Sequence, residues 1–306
     1  MRIGLIDVDG HHFPNIALMK LSAAHKAQGD VVEWYTPFTD RYDRVYMSKV
    51  FSFTPDYDFC INADEVWKGG TGYTLEGTLT ENVEHAYPDY SIYGIEDTAY
   101  GFLTRGCPRG CSFCIVGDKE GRRSVKVANL DEFWRGQKNI VLCDPNILAC
   151  RDWEDLLGQL AESKAWVDFN QGLDARLLSA QKIEALNRIK TKEVHFAWDN
   201  YGDGDIILPK LEMFSEMGKF KKTAHNAIVY VLCNYDTTIE QDLERVYRLR
   251  DIGYWAYIML YDKEHASKEH RRLQRWCNNR FIFSTCKNFK DYDQSYQKHL
   301  QQPADE

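Results

Sequence analysis

The chain has no apolar run long enough to span a membrane, no low-complexity stretch and no proline- or glycine-rich linker. Its opening, Met1-Arg2-Ile3-Gly4, lacks the charged-then-apolar pattern of a secretory leader, so we expect a cytoplasmic protein. Nine cysteines are an odd count and argue against a disulfide framework. The net charge of −8 argues against docking on an intact nucleic acid, which requires a basic face. No membrane partner is expected either.

Three of the cysteines, Cys107, Cys111 and Cys114, form a tight C-x-x-x-C-x-x-C run. A structural zinc site needs four nitrogen or sulfur ligands, and no second C-x-x-C or H-x-x-x-H pair is present to complete one. A [4Fe–4S] cluster usually takes four thiolates, so three would leave one iron open to another ligand. The remaining cysteines are expected to be buried small hydrophobic residues: Cys60, Cys143, Cys150, Cys233, Cys277 and Cys286.

This run resembles the cysteine motif of the radical SAM superfamily, in which the residue before the last cysteine is usually aromatic, as Phe113 is here. The lead-in Thr104-Arg105-Gly106-Cys107-Pro108 is also common in one branch. The resemblance implies a [4Fe–4S] cluster that binds S-adenosyl-L-methionine at its open iron. It further implies reductive cleavage to a 5′-deoxyadenosyl radical, which abstracts hydrogen from a substrate, and an external electron donor such as flavodoxin or ferredoxin.

The alternation of strand and helix patterns predicts an α/β protein with two domains. Ile3 to Ile6 and Val31 to Tyr35 flank an amphipathic helix, which indicates a Rossmann-like parallel-sheet domain over residues 1–95. It resembles the N-terminal domain of the cobalamin-binding branch, although the base-off D-x-H-x-x-G signature fails because Pro14 replaces its glycine. We therefore expect no cobalamin. Residues 96–306 are predicted to form a partial (β/α)6 TIM-like radical SAM barrel with C-terminal helices, from six strand patterns alternating with helices.

Barrel chemistry occurs at the carboxyl ends of the strands, and polar residues follow those ends here. The resemblance implies cofactor contacts from residues in the first, second, third and fifth such segments: Phe113, Asp144, Asn146, Gln171, Arg176 and Asn234. Alternative interpretations stay open, because Asp144 to Asn146 also fits a turn, and Arg176 also fits an ion pair with Asp174. Thr237 or Thr238 also fits a plain helix N-cap.

The substrate is predicted to be a small molecule, a nucleoside or nucleotide. Asp199 and Asp262 are the candidate catalytic carboxylates, with structural salt bridges as the alternative. His195 is expected to be a satisfied barrel residue. The predicted substrate-binding residues lie at strand ends in both domains: Asp7, Asp9, His11, His12, Asp199, Tyr257 and Tyr261.

Overall size, the degenerate N-terminal domain and the lack of accessory cysteine motifs resemble the queuine lyase group of radical SAM enzymes. That group frees the base queuine from queuosine or queuosine 5′-phosphate for salvage. Two other classes remain open at this stage: a cobalamin-dependent radical SAM methyltransferase and a non-catalytic iron–sulfur regulatory or binding protein. A cobalamin-bound protein would reveal itself by corrinoid absorbance, and a regulatory protein would not cleave S-adenosylmethionine.

Overall fold

A computed structural model describes residues 1–38, 41–220 and 226–292 of the chain. The chain divides into two compact units, residues 1–167 and 168–306. The predicted domain boundary at 95/96 falls inside the first unit, where one sheet ends and the next begins. The last residues of the predicted second domain, 293–306, lie outside the described residues. Both units combine helices with parallel strands, and this confirms the predicted α/β class.

The first unit begins with a four-stranded parallel sheet. Its strands have the spatial order β2-β1-β3-β4. The connection from β1 to β2 contains the only helix longer than one turn among the described residues up to position 97. That helix starts where the Asn15 side chain accepts a hydrogen bond from Leu18 N. The elements are β1 (Arg2–Asp7), α1 (Ile16–Ala27), β2 (Val31–Trp34), β3 (Tyr42–Ser48), β4 (Ala63–Gly69) and the one-turn α2 (Glu81–Glu84).

Both faces of this first sheet are apolar, as expected for a parallel sheet. Ile3, Leu5 and Leu18 form a buried cluster on one side, and a second cluster contains Tyr42 and Val45. The βα opening predicted from the apolar periodicity is therefore confirmed. The carboxyl ends of β1 and β3 meet at one edge, because Asp7 lies opposite Ser48 in the register.

The rest of the first unit contains a second sheet and a small hairpin. The sheet has the order β5-β8-β9, with β5 and β8 parallel, while β6 and β7 pair in antiparallel fashion. The elements are β5 (Thr98–Gly101), β6 (Thr104–Arg105), α3 (Val116–Lys119), β7 (Val125–Lys126), β8 (Asn139–Leu142), α4 (Trp153–Ser163) and β9 (Trp166–Phe169), the last of which ends just beyond the unit boundary.

The second unit is built on the parallel sheet β10-β11-β12. One face of this sheet is fully buried: Phe196, Val229, Val231, Ala256 and Ile258 have no measurable exposure. Its elements are α5 (Ala180–Leu186), β10 (Val194–Ala197), α6 (Gly204–Met217), β11 (Ala227–Cys233), α7 (Ile239–Asp251), β12 (Trp255–Leu260), α8 (Lys268–Asn278) and α9 (Arg280–Thr285). Across the described ranges of the chain, no helix is long and apolar enough to cross a membrane.

Candidate iron–sulfur loop and strand-end residues

The three-cysteine run lies on a closed loop of the first unit. Strands β6 and β7 pair Thr104 with Lys126 and Arg105 with Val125, so residues 106–124 form one loop, here called the cysteine loop. Cys107 N donates to Gly121 O at 3.1 Å, and Cys114 N donates to Cys111 O at 3.0 Å. The loop is thus closed by its own backbone at the level of the first cysteine and again within the run.

A glycine is required immediately before the first cysteine. Gly106 has a left-handed φ of +82°, and a Cβ there would lie 2.1 Å from the Arg123 carbonyl oxygen. Its amide donates to Glu120 Oε2 at 3.0 Å, and Glu120 also pairs with Arg105 at 2.7 Å. The short lead-in before Cys107 therefore forms a tight turn, which the side chains of Glu120 and Arg105 stabilise.

The thiols of the cysteine loop differ from most others in exposure. Cys107 and Cys111 are half-buried and Cys114 is exposed. The expectation that the remaining cysteines are buried is correct for Cys143, Cys150, Cys233 and Cys277. It is wrong for Cys60, which is exposed, and for Cys286, which is half-buried, because both lie in irregular segments outside the sheets. All three thiols of the run are thus accessible to solvent, whereas four of the six other cysteines are buried.

The cysteine loop fits an iron–sulfur cluster in ligand chemistry. Three accessible thiols within eight positions are the soft donors that such clusters take. The sulfurs are not gathered, however: within the described residues no three His, Cys, Asp or Glu side chains are arranged to hold a metal ion. Binding would therefore require the loop to draw its three sulfurs together.

Asp144 anchors the strand that leads into the cysteine loop. Its buried carboxylate accepts hydrogen bonds from Leu103 N at 3.1 Å and from the Thr104 hydroxyl at 2.7 Å, and it also accepts one from Thr104 N. Burial raises the pKa of Asp144 to about 6, although these hydrogen bonds oppose the shift. Both oxygens already have partners, so the observed role of Asp144 is to fix β6. Its predicted cofactor contact stays a prediction.

Asn146 is the predicted cofactor residue that contacts the cysteine run directly. Its buried side chain directs Nδ2 at Cys107 Sγ across 3.6 Å, and its carbonyl accepts a hydrogen bond from the Ser124 hydroxyl at 2.8 Å. An amide N–H directed at a ligand sulfur is the kind of outer contact that tunes an iron–sulfur cluster. Phe113 is half-buried in the same loop. Sequence reasoning missed Glu120 and Ser124, whose residue types carry no motif signal.

The two acidic residues predicted for substrate binding in the first unit, Asp7 and Asp9, accept hydrogen bonds from neighbouring residues, and their contact with substrate stays a prediction. Asp9 accepts hydrogen bonds from Phe51 N at 3.3 Å and from the Thr54 hydroxyl at 2.7 Å. Asp7 accepts one from the Tyr93 hydroxyl at 2.6 Å, and burial raises its pKa despite that bond. They lie at the carboxyl edge of the first sheet, as predicted, yet each has a structural partner.

The two predicted histidines of the first unit are both exposed. The His11 ring lies 4.2 Å from the Trp34 ring and 5.5 Å from the Tyr93 ring, measured between centroids. His12 follows it in the same turn. The structure therefore places His11 in an aromatic cluster at the sheet edge, and a substrate contact from either histidine stays a prediction.

In the second unit Arg176 forms the ion pairs that the sequence left open as an alternative. Its Nε lies 2.8 Å from Asp174 Oδ1, and its Nη1 pairs with Asp203. Gln171, in the same connection, is exposed. Arg176 thus holds two carboxylates after β9 and β10, and its predicted contact with a cofactor carboxylate is not shown by this arrangement.

A buried arginine ties the ends of two strands in this unit. Arg245 has no exposed surface and donates to Trp198 O at 2.8 Å, Asp199 O at 3.2 Å and Leu232 O at 2.7 Å. Its counter-ion Asp242, also without exposed surface, lies 2.6 Å away. The arginine was not predicted, because a single Arg on an amphipathic helix pattern looks like a solvated residue.

Asp199, the predicted catalytic carboxylate, lies at the edge that Arg245 fixes. It is half-buried, and burial raises its pKa, while the charges of Arg176 and Arg245 act in the opposite direction. A raised pKa brings a carboxyl group closer to neutrality, a property that general acid–base catalysis uses. A catalytic role for Asp199 stays a prediction.

The remaining predicted residues follow β11 and β12. Asn234 adopts a left-handed φ of +63°, and its Nδ2 donates to Asp262 O at 3.3 Å, so these two strand ends are joined. The Asp262 carboxylate accepts from His265 N at 3.1 Å and lies 2.8 Å from His265 Nδ1, contacts that lower its pKa. Tyr261 is 53% exposed and open to a ligand, whereas Tyr257 is half-buried within β12.

His195 is a buried residue of β10, as expected. Its Nδ1 lies 3.4 Å from Asp168 Oδ1 and its Nε2 lies 3.5 Å from Glu193 Oε2, and its ring stacks on Tyr230. Burial lowers the pKa of His195, but the two carboxylates outweigh it and raise the pKa above its usual value. The imidazole is therefore stabilised in its charged form by carboxylates of its own unit.

Comparison with known proteins adds no family assignment. No protein-family model matches the sequence, and no curated protein matches it significantly. The functional argument therefore depends on the cysteine loop, the strand-end residues and the resemblance of the motif.

Proposed function

We propose that this chain is a radical SAM enzyme whose cluster is held by Cys107, Cys111 and Cys114. The observation that carries the proposal is the accessible three-thiol run on a loop closed by the antiparallel strands β6 and β7, just after the parallel strand β5. Three thiolates leave one iron of a [4Fe–4S] cluster open for S-adenosylmethionine. When bound, the cluster and S-adenosylmethionine together supply a 5′-deoxyadenosyl radical for hydrogen abstraction. The six strands of the proposed partial (β/α)6 barrel would be β5, β8, β9, β10, β11 and β12.

The residues of the chain would bind and orient the reactants. Asn146 supports the proposal best, because its amide already contacts Cys107. Phe113 lies within the run, while Asp144 fixes the strand before it. Gln171, Arg176 and Asn234 are the proposed cofactor contacts of the second unit, and of these Arg176 would have to exchange an ion pair for a cofactor carboxylate.

The specific reaction that we propose is a queuine lyase activity on queuosine or queuosine 5′-phosphate. A net charge of −8 favours a small substrate over an intact RNA. Asp199, with its raised pKa, is the proposed proton-transfer residue, and Asp262, with its lowered pKa, would stay charged and accept hydrogen bonds from substrate. Tyr261 offers an exposed aromatic face to a base.

The test is anaerobic reconstitution with iron and sulfide, followed by reduction in the presence of S-adenosylmethionine and each candidate substrate. We expect 5′-deoxyadenosine with either substrate and free queuine as the second product, both identified by mass spectrometry. Formation of 5′-deoxyadenosine without queuine would retain the superfamily and reject the lyase. A reconstituted protein that forms neither product would reject both.

A further inference from the structure

The cysteine loop and its two flanking strands carry a charge opposite to that of the rest of the chain. Residues 104–126 contain six Lys or Arg and two Asp or Glu, which gives a net charge of +4. The whole chain has a net charge of −8, so the other residues together carry −12. A basic segment in so acidic a protein concentrates positive potential around the three cysteines.

Three of these six cations have partners near the loop. Arg105 pairs with Glu120 at 2.7 Å, Lys126 pairs with Asp155 at 3.0 Å, and Lys119 donates to backbone carbonyls. Arg122 and Arg123 are exposed. Among the described carboxylates, none forms an ion pair with Arg122 or Arg123.

The same surface contains exposed apolar residues beside the thiols. Ile115, directly after the exposed Cys114, is 50% exposed, and Val125 is 47% exposed. A small apolar patch with charged residues around it is typical of the transient interfaces of redox partners. Because Arg122 and Arg123 form no ion pair with a described carboxylate, their charges are available to a partner protein.

We propose that this basic face, centred on Arg122 and Arg123, docks a small acidic one-electron carrier protein. The proposal rests on the proposed function, in which one electron leaves the reduced carrier and enters the cluster, so that the carrier is oxidised and the cluster reduced by one electron each. The −12 charge of the remaining residues repels an acidic carrier elsewhere on the surface. Electrostatics would thus direct the carrier to the cysteines, where electron transfer is shortest.

The test compares two reductants on charge-reversed variants of the reconstituted protein. One is a reduced bacterial flavodoxin, an acidic protein, and the other is photoreduced 5-deazariboflavin, a small molecule that needs no docking surface. The loop variant is Arg122→Glu/Arg123→Glu, and the matched control is Arg188→Glu/Lys190→Glu, which changes the charge equally at two exposed positions of the second unit. Iron and sulfide content is measured first in each variant.

We expect cluster reduction by flavodoxin to slow at least about tenfold in the loop variant at low salt and to lose its salt sensitivity. Reduction by deazariboflavin should be unchanged, and the control should follow the wild type with both reductants. Because the Arg122 guanidinium lies against Gly110, Arg123→Glu alone is included and should show a smaller loss in the same direction.

Four outcomes separate the docking proposal from the proposed function. A loop variant that flavodoxin reduces at the wild-type rate overturns the docking surface, and so does equal slowing by both reductants. A loop variant that keeps the flavodoxin rate but loses affinity for S-adenosylmethionine assigns the arginines to a small anion instead and also overturns it. A wild type that is reduced by deazariboflavin and still forms no 5′-deoxyadenosine contradicts the proposed function alone.

Discussion

The cysteine loop exposes its functional side chains to solvent, whereas a second region, the buried ion pair of Arg245 and Asp242, excludes solvent from its own. The loop keeps three thiols accessible on a backbone that depends on a left-handed glycine at Gly106, and its sulfurs lack the close packing of a core. In the second region Arg245 forms a buried ion pair with Asp242, and both of its Nη atoms donate to carbonyls of two strand ends. The accessible thiols of the first region are suited to binding a ligand, whereas the buried contacts of the second region stabilise the fold.

The two regions are therefore expected to contribute differently, the cysteine loop to ligand binding and the buried ion pair to the stability of the fold. A cluster bound by the cysteine loop would add order that the free loop lacks, so losing a thiol should affect the ligand more than the fold. Losing Arg245 should affect the fold first, because the buried Asp242 carboxylate would lose its partner at 2.6 Å and keep only His270 Nε2, at 3.3 Å. The predictions below test that separation in order of decreasing effect.

The largest effect is expected for alanine at any cysteine of the run. Cys107→Ala, Cys111→Ala and Cys114→Ala should each reduce formation of 5′-deoxyadenosine to background, a loss of at least about a hundredfold, because two thiols cannot hold the cluster. Iron content should fall with it, while the urea unfolding midpoint of the metal-free protein stays near that of the wild type. The matched control is Cys60→Ser, also an exposed free thiol. Loss of iron in that control would contradict the assignment to the run.

The next effect is expected at the buried ion pair of the second unit. Arg245→Met should lower the free energy of unfolding by about 3–5 kcal/mol, because the buried carboxylate of Asp242 loses its arginine and keeps only the contact with His270 at 3.3 Å. The double variant Arg245→Met/Asp242→Leu removes both charges and should recover most of that loss. Urea unfolding followed by circular dichroism measures both variants. A single variant within about 1 kcal/mol of the wild type would show that the pair contributes little to stability.

The third prediction concerns Asp144, whose buried carboxyl group should make the free energy of unfolding depend on pH. Its pKa is raised by burial from 3.8 to about 6, so between these values the native state binds more protons than the unfolded state. The stability it contributes is fully present below pH of about 4 and is lost as pH rises through about 6, by up to about 3 kcal/mol. The difference in unfolding free energy between the wild type and Asp144→Asn should change by this amount over that range. A constant difference would show that the carboxyl has an ordinary pKa.

Pattern reasoning located the elements well and the contacts poorly. The apolar periodicities place α1, α4, α7 and the strands β8 to β12 where the structure has them, since burial of one face imposes those periods. The sequence also singles out the cysteine run, whose spacing is a local property. It did not reveal the hydrogen bonds of Asp9 or the second ion pair of Arg176, with Asp203, because such partners are determined by tertiary packing. For the same reason Arg245 was not recognised as buried.

The smallest effect tests whether Thr238 has a structural role. Thr238 caps α7 in the structure: its hydroxyl accepts from Gln241 N, and the Gln241 side chain accepts from Thr238 N at 2.9 Å. Thr238→Ala should therefore lower the unfolding free energy by about 1 kcal/mol. Thr237→Ala is the neighbouring control, and it should leave stability unchanged or slightly higher, because the buried Thr237 hydroxyl makes no hydrogen bond. If Thr238→Ala instead keeps its stability and loses affinity for S-adenosylmethionine, this threonine belongs to the cofactor site, and the second unit contributes more to binding than its closed contacts suggest.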